Sequence, residues 1–452
     1  MAYAKKDIDM LNGPLVKNII IYTIPIMLTG ILQLLFTAAD LVIVGRFRGS
    51  GSVAAVGATN SLISLIVNLF MGLSVGAGVT IAHALGAHHQ KDAKDAVHTA
   101  IPTAAICGVI ITIVGLFFSE PLLKLMGNPP DVIEKSTIYL KIYFCGSVGS
   151  LLYNFGAAIL RAAGDTKSPL IYLTVSGAAN VALNVWFVVG LGMDVEGVAL
   201  ATAISQFISA ILVLIKLMRR EDCCKLQLKH LKISSRPLSK ILRIGLPSGI
   251  QSSLFSISNV IIQSSVNSFG STVIAGSSAS SSIESFVYTA QNSFSQAAIN
   301  FVGQNIGARK YDRVIKIFWR CLLLCTVFSL FFGGLTFFFP KPLLGIYITD
   351  SVEAISYGVI RMQIFGFTYF IAGLMDITTG TLRGMGKSVL PMIVSILGVC
   401  GFRILWIFTL FEIPRFHTIT WLFLSYPISW SIVFLAQGTL TIVEYKKLKK
   451  VA

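Results

Sequence analysis

Residues 18–45 read "NIIIYTIPIMLTGILQLLFTAADLVIVG" and carry one charged side chain, Asp40. A run this long and this apolar is typical of a helix that crosses a lipid bilayer, which takes about 20 residues. Runs of similar length and composition recur along the whole chain. The sequence therefore predicts an all-α polytopic membrane protein.

The composition of the chain supports the same class. Of 452 residues, 54% are hydrophobic and only 12% are charged. A soluble protein of this length cannot bury that much apolar surface. We predict twelve spans, at roughly 15–44, 53–82, 97–118, 137–160, 169–192, 196–218, 238–268, 272–301, 315–339, 354–382, 389–411 and 418–443.

The distribution of positive charge along the chain indicates how the chain is oriented in the membrane. The formal net charge is +16, from 36 Lys and Arg against 20 Asp and Glu. Most of the basic residues lie in alternate loops and at the two ends, for example Lys91, Lys94, Arg309 and Lys310. This is the positive-inside pattern. It predicts a multi-pass protein of the cell (plasma or inner) membrane with both termini in the cytoplasm, and it gives no indication of nucleic-acid binding.

Residues with catalytic or metal-binding potential are scattered. The seven cysteines form no CxxC pair, and the predicted spans contain no Ser/His or Cys/His constellation and no HExxH motif. An enzyme would need such a group of side chains. The sequence therefore predicts neither an enzyme nor a cofactor.

The chain repeats itself. "GPLVK" (13–17) returns as "RPLSK" (236–240), and "LRAAGDTKSP" (160–169) returns as "LRGMGKSVLP" (382–391), with separations of 223 and 222 residues. Each half holds six predicted spans, and an even number returns the chain to the same side of the membrane. The halves therefore form a tandem parallel repeat, an arrangement known from transporters that bind substrate between repeats.

These features divide the chain into five segments. We predict a cytoplasmic N-terminus at 1–14, an N-lobe of six helices at 15–218, a basic cytoplasmic linker at 219–236, a C-lobe of six helices at 237–443 and a basic cytoplasmic tail at 444–452.

Polar side chains follow helical spacing inside the predicted spans. Gln33, Thr37 and Asp40 share one helix face, since they lie at i, i+4 and i+7. A charge near the bilayer centre costs about 2.5–3.5 kcal/mol on insertion scales and marks ion or substrate paths. We therefore predict a polar cavity lined by Gln33, Thr37, Asn60, Asn154, Gln206, Glu284 and Asp376.

Two alternatives remain for these polar groups. Amides and hydroxyls also hold membrane helices together, each contributing about 1 kcal/mol. Asp376 lies seven residues before Arg383, so an ion pair across two helical turns explains this acid as well as a transport role does.

Several motifs together resemble one transporter family. They are "DLVIVGRFRGSGSVAAVG" (40–57), "NFGAAILRAAGDTKSP" (154–169), "NVALNVWFVVGLGMDVEGVALATAISQ" (180–206) and "TGTLRGMGKSVLP" (379–391). In combination they resemble the multidrug and toxic compound extrusion (MATE) transporters over nearly the whole chain. The resemblance implies two six-helix lobes in a V shape and export of cationic or amphiphilic small molecules in exchange for H⁺ or Na⁺.

The resemblance also implies an ion-coupling site in the N-lobe. Asp40 occupies the position of the family's coupling acid, Asn180 that of its asparagine on the fifth span, and Thr202 that of its threonine on the sixth. Family members often carry a second aspartate one turn beyond the asparagine, where this chain has Asn184. The neutral amide weakens the case for Na⁺, although the same four residues would be its ligands.

The resulting hypothesis is a cation-coupled exporter. A carboxylate in a poorly solvated pocket exchanges a proton near neutral pH, and the ionised form holds an organic cation or Na⁺. The alternative is a flippase for lipid-linked glycan or polysaccharide precursors. It would need a strongly cationic interior, whereas only Arg403 lies clearly within a span and Arg361 lies near an end. We expect a monomer that contacts membrane lipid.

Overall fold

The computed structural model describes residues 7–126, 128, 130–349 and 351–451. Residues 1–6 of the predicted N-terminus and residue 452 of the predicted tail lie outside this description. Within the described ranges the chain is helical and contains no β-strand. The all-α architecture predicted from the sequence is thereby confirmed.

The helices follow one another with short connections. Those of the first half are α1 (Leu15–Arg48), α2 (Ser50–Gly86), α3 (Gln90–Leu125), α4 (Pro130–Cys145), α5 (Ser147–Ala162), α6 (Lys167–Asn184) and α7 (Val195–Met218). Those of the second half are α8 (Ser235–Asn267), α9 (Ser271–Gly307), α10 (Tyr311–Phe338), α11 (Pro340–Leu344), α12 (Val352–Gly384), α13 (Val389–Ser395), α14 (Phe402–Phe408) and α15 (Ile419–Val451). Wider π-helical turns extend α6 over Val185–Gly190 and join α13 to α14 over Ile396–Gly401.

These helices supply the twelve predicted spans. Among the described residues, nine helical segments are long and apolar enough to cross a membrane, and α4 with α5 makes a tenth. The remaining two, α8 and α9, have 33 and 37 residues but are rich in serine. The fourth predicted span, 137–160, falls on α4 and α5, which meet at a bend of 46°.

The helices gather into two compact units that exchange helix ends. The N-terminal unit contains residues 7–10 and 24–253, and the C-terminal unit contains residues 11–23 and 254–451. The first turns of α1 therefore pack with the second half of the chain. Pro25 lies beside the first crossing point, and a proline inside a helix removes a hydrogen bond and permits a kink there.

The backbone repeats along with the sequence. Gly49 and Gly270, 221 residues apart, precede α2 and α9 with φ of 86° and 96°. His88 and Arg309 share a φ of 56°, each two residues before the start of a helix, α3 and α10 respectively. Positive φ is uncommon for residues other than glycine. Its recurrence at one interval supports the tandem repeat.

Small residues permit close helix packing in the N-terminal unit. A Cβ on Gly72 of α2 would lie 2.1 Å from the backbone nitrogen of Gly249 on α8, and one on Gly76 would lie 2.3 Å from the Ile241 carbonyl oxygen. Only glycine allows backbones to approach this closely, as membrane helices commonly do. This contact holds the first half of α8 against α2.

Candidate functional site

Asp40 lies in the last third of α1, and its carboxylate meets the end of α6. The Asn184 Nδ2 atom donates a hydrogen bond of 2.5 Å to Asp40 Oδ1. Asp40 is half-buried and Asn184 is fully buried. The acid therefore sits inside the N-terminal unit, at a contact between two helices.

A chain of neutral side chains continues from this contact. Asn184 Nδ2 also donates to Asn180 Oδ1 (3.3 Å), and Asn180 Nδ2 donates to Thr202 Oγ1 on α7 (3.4 Å). The Thr202 hydroxyl, which accepts from Asn180, directs its own proton to Asp40. The structure thus brings the four residues of the predicted ion-coupling site together from three helices.

Gly177 explains how α6 comes so close to α1. A Cβ at this position would lie 1.8 Å from Cε2 of Phe36. Gly177, Asn180 and Asn184 lie at i, i+3 and i+7, so they share one face of α6. The helix widens into a π-turn directly after Asn184, and such turns frequently occur at functional sites.

Two tyrosines of α4 complete the surroundings of Asp40. The rings of Tyr139 and Tyr143 stack with centroids 6.1 Å apart, and both hydroxyls interact electrostatically with the Asp40 carboxylate. Tyr143 also forms a hydrogen bond with Gln206 of α7. Sequence reasoning missed Tyr139, although two tyrosines four residues apart on one span were the available signal.

The charge of this site comes from Asp40 alone. Within the part of the chain that the structure describes, every salt bridge joins other residues, so no basic side chain neutralises Asp40. The Asn184 Oδ1 atom is buried and accepts no hydrogen bond there. One carboxylate with amide and hydroxyl oxygens offers ligands to a monovalent cation, or an acceptor to a proton.

The other predicted cavity residues of the N-terminal unit differ in burial and in their partners. Gln33, Thr37 and Asn60 are exposed on α1 and α2. Asn154 is half-buried and donates to a carbonyl one turn earlier on α5 (2.8 Å). Gln206 is half-buried and is connected to the cluster through its tyrosine partner.

In the C-terminal unit, Glu284 is engaged in a buried ion pair. Arg361 Nε and Nη2 donate to the two Glu284 oxygens at 3.0 and 2.9 Å, and Arg361 Nη1 donates to Ser277 (2.8 Å). The guanidinium lies 5.0 Å from the Phe365 ring centroid and 5.1 Å from that of Phe423. Arg361 lies nine residues inside the 33-residue helix α12, in its first third.

Asp376 is the other acid of the C-terminal unit. It is half-buried on α12, its Oδ2 atom is buried without a hydrogen-bond partner among the described residues, and its carbonyl accepts from Ser295 (2.7 Å). Its charge interacts with Arg383 and Tyr288. This acid therefore has a cationic neighbour, which Asp40 lacks within the described chain.

Comparison with known proteins identifies the family to which this architecture belongs. The profile of the MatE family matches residues 25–186 and again residues 247–409. The probable multidrug resistance protein NorM of Thermotoga maritima is 29% identical over 394 residues, which cover 86% of this chain and 84% of that protein. The probable multidrug resistance protein YoeA of Bacillus subtilis is 26% identical and covers 93% and 92%.

Solved structures share the fold. The outward-facing conformation of a multidrug resistance MATE family transporter of the MOP superfamily superposes with a TM-score of 0.89 over 99% of both chains, at 22% identity. The match to this transporter profile, together with relatives named multidrug resistance proteins, defines the class: an integral membrane transporter and not an enzyme. The chain belongs to the MATE family of efflux transporters, as the match to both of its halves shows.

Proposed function

We propose that this transporter exports amphiphilic, cationic small molecules in exchange for H⁺ or Na⁺. The exported cation and the coupling ion bind in turn to the same carboxylate, that of Asp40. The observation that carries the proposal is a carboxylate whose hydrogen-bond partners, Asn184 and Thr202, are both neutral. An intramembrane acid of this kind is costly and is retained for function. The names of the relatives, multidrug resistance proteins, support the substrate class.

The exchange follows from charge balance at Asp40. Ionised Asp40 provides one negative charge, which pairs with one organic cation. When a proton or Na⁺ occupies the carboxylate, the organic cation loses its counter-charge and dissociates. A ligand shifts a conformational equilibrium only through different affinities for its states, and loading and unloading one acid supplies that difference.

The site favours H⁺ over Na⁺. Asn184 places the amide NH₂ group, a donor, on the carboxylate oxygen that a metal ion would need. A proton needs only the one carboxylate, whereas a bound Na⁺ requires several oxygen ligands.

The C-terminal unit argues against the flippase alternative. Of the interior arginines, Arg361 is balanced by Glu284. Arg403 is buried, donates to Ser429 (3.1 Å) and lies 3.9 Å from the Tyr426 ring centroid, with no carboxylate partner among the described residues. One uncompensated arginine falls short of the strongly cationic interior that a pyrophosphate headgroup requires.

Reconstituted vesicles test the proposal. We expect efflux of a cationic dye from vesicles containing the purified chain when a pH gradient is imposed, and none with a sodium gradient alone at equal pH. Empty vesicles and the Asp40→Asn variant should show no gradient-driven flux. Flux in wild type that is indifferent to both gradients, or equal flux in the variant, contradicts the proposal.

We also propose that both termini face the cytoplasm and that the protein is a monomer.

A further inference from the structure

A basic groove lies on the outer surface of the C-terminal unit. It has a volume of about 1090 Å³ and runs between the first turns of α1 and the first third of α10. Four basic residues line it, Lys17 from α1 and Arg313, Lys316 and Arg320 from α10. The groove belongs to no part of the transport site described above.

The basic residues of α10 form a single row. Arg313, Lys316 and Arg320 lie at i, i+3 and i+7, which places them on one helix face over about 10 Å of its length. Arg313 also donates a hydrogen bond to the Gly13 carbonyl and so fixes one end of the groove. Long basic side chains near the end of a membrane helix extend their charged ends toward the headgroups.

Most of the basic side chains that line the groove form no salt bridge within the described chain. Among the described residues, none of the salt bridges involves Lys17, Lys316 or Arg320. Asp312, the acid at this end of α10, forms its ion pair with Lys449 at 2.9 Å and accepts from Tyr445 at 3.3 Å, and its charge acts on Lys316 without a salt bridge. The groove therefore attracts an anion.

The walls of the groove are apolar and uncovered. Trp319 is 57% exposed, Leu323 is 53% exposed, and Ile20 and Ile21 are each 37% exposed. They lie beside the basic row on helices that enter the membrane. Tryptophan is enriched at the level where headgroups meet acyl chains. An anion with a hydrocarbon tail fits this combination better than a free ion does.

In the first half of the chain, the helix that corresponds to α10 is α3, and its equivalent face is covered by protein. Residues 221 positions before Arg313, Trp319 and Arg320 are Asp92, His98 and Thr99 of α3. There the linker lies on the helix: the Gln227 N–H donates to His98 Nε2 (3.1 Å), and Thr99 Oγ1 contacts the Lys232 carbonyl (3.3 Å). The face of α3 is acidic and is covered by the linker. The equivalent face of α10 is basic and uncovered, so it is the one suited to an anionic ligand.

We propose that the groove binds an anionic phospholipid. The phosphodiester lies against Lys17, Lys316 and Arg320, and the acyl chains lie along Trp319 and Leu323. Basic pockets between membrane helices recognise anionic headgroups in this way. The lipid would cover the contact between the start of α1 and α10, as the linker covers α3.

Lipid retention measured by native mass spectrometry tests this site. The full-length protein is exchanged into vesicles of equal parts phosphatidylglycerol and phosphatidylcholine, extracted in detergent, and its bound lipids are counted. We expect wild type to retain phosphatidylglycerol preferentially. The double variant Lys316→Gln/Arg320→Gln should lose about 30-fold in this preference, because each basic group at an anionic surface contributes roughly fivefold.

Two matched variants control for general charge and for folding. Lys91→Gln/Lys94→Gln removes two basic residues from α3 and should retain the lipid. Lys316→Arg/Arg320→Lys keeps the charge and should also retain it. Equal retention by wild type and the neutral variant, equal loss in the α3 variant, or loss in the charge-conserving variant overturns the proposal. So does full displacement of the lipid by 10 mM inorganic phosphate, which would indicate a site for a free anion.

Discussion

Asn184 at the end of α6 donates a hydrogen bond of 2.5 Å to Asp40 of α1, although 144 positions separate the two residues. The amide stays neutral at every pH, so Asp40 supplies the only formal charge of the cluster. A single acid binds one proton or pairs with one monovalent cation. This contact is therefore the physical basis for the proposed exchange of a proton for an organic cation.

Replacing Asn184 with a carboxylate should change the ion that drives transport. Asn184→Asp removes the donor from Asp40 and puts a second negative charge beside it, and two carboxylates at one site bind a cation through charge as well as through oxygen ligands. We expect dye efflux from vesicles to become responsive to a sodium gradient. The control is Asn60→Asp, which adds an acid to an exposed position on α2. Sodium dependence in the control, or none in Asn184→Asp, argues against the site.

The approach of α6 to α1 should be sensitive to one methyl group. Gly177→Ala places a Cβ 1.8 Å from the Phe36 ring, and overpacking of this kind costs typically 1–3 kcal/mol. We expect a lower melting temperature and impaired dye efflux. Adding Phe36→Leu should restore much of both, because it removes the obstructing ring edge.

A glycine without close neighbours provides the comparison for that variant. Nothing lies within 4 Å of a Cβ built on Gly438 of α15. Gly438→Ala should leave efflux unchanged and should not lower the melting temperature, since alanine favours a helix more than glycine does. If Gly177→Ala behaves in the same way, the close packing of α6 on Phe36 does not position the site.

Breaking the buried ion pair of the C-terminal unit should destabilise the fold. Arg361→Ala leaves Glu284 charged and unpaired, and removing one partner of a buried pair costs about 3–5 kcal/mol. Thermal unfolding in detergent should show a clear loss, and Arg361→Met combined with Glu284→Gln should recover most of it. An Arg361→Ala protein as stable as wild type would mean that water already reaches this pair.

Helix positions followed from composition and spacing because each span is encoded locally. The predicted span 53–82 lies within α2, and 272–301 lies within α9. The bend at Gly146 was missed because no proline marks it. The exchange of helix ends between the two units was missed as well, because apolar periodicity identifies a buried face but not the partner that covers it.

The residues of the proposed ion site were accessible to sequence reasoning because they are polar exceptions in apolar spans. Asp40, Asn180 and Thr202 are recognisable on that ground, and family resemblance gave them a common role. The pairing of Glu284 with Arg361 was not accessible, since it joins residues 77 positions apart through tertiary packing. Tyr139 was missed because an aromatic residue in a span fits an apolar core equally well.

The pH dependence of dye binding to the purified protein tests the shared role of Asp40 most directly. Proton and dye compete for one carboxylate, so wild-type affinity should fall as the pH is lowered through the titration of Asp40, by up to about tenfold per pH unit. Asp40→Asn should bind weakly and without pH dependence, while Asp376→Asn should keep the wild-type profile. An Asp40→Asn protein with wild-type affinity and an unchanged pH profile would contradict the account.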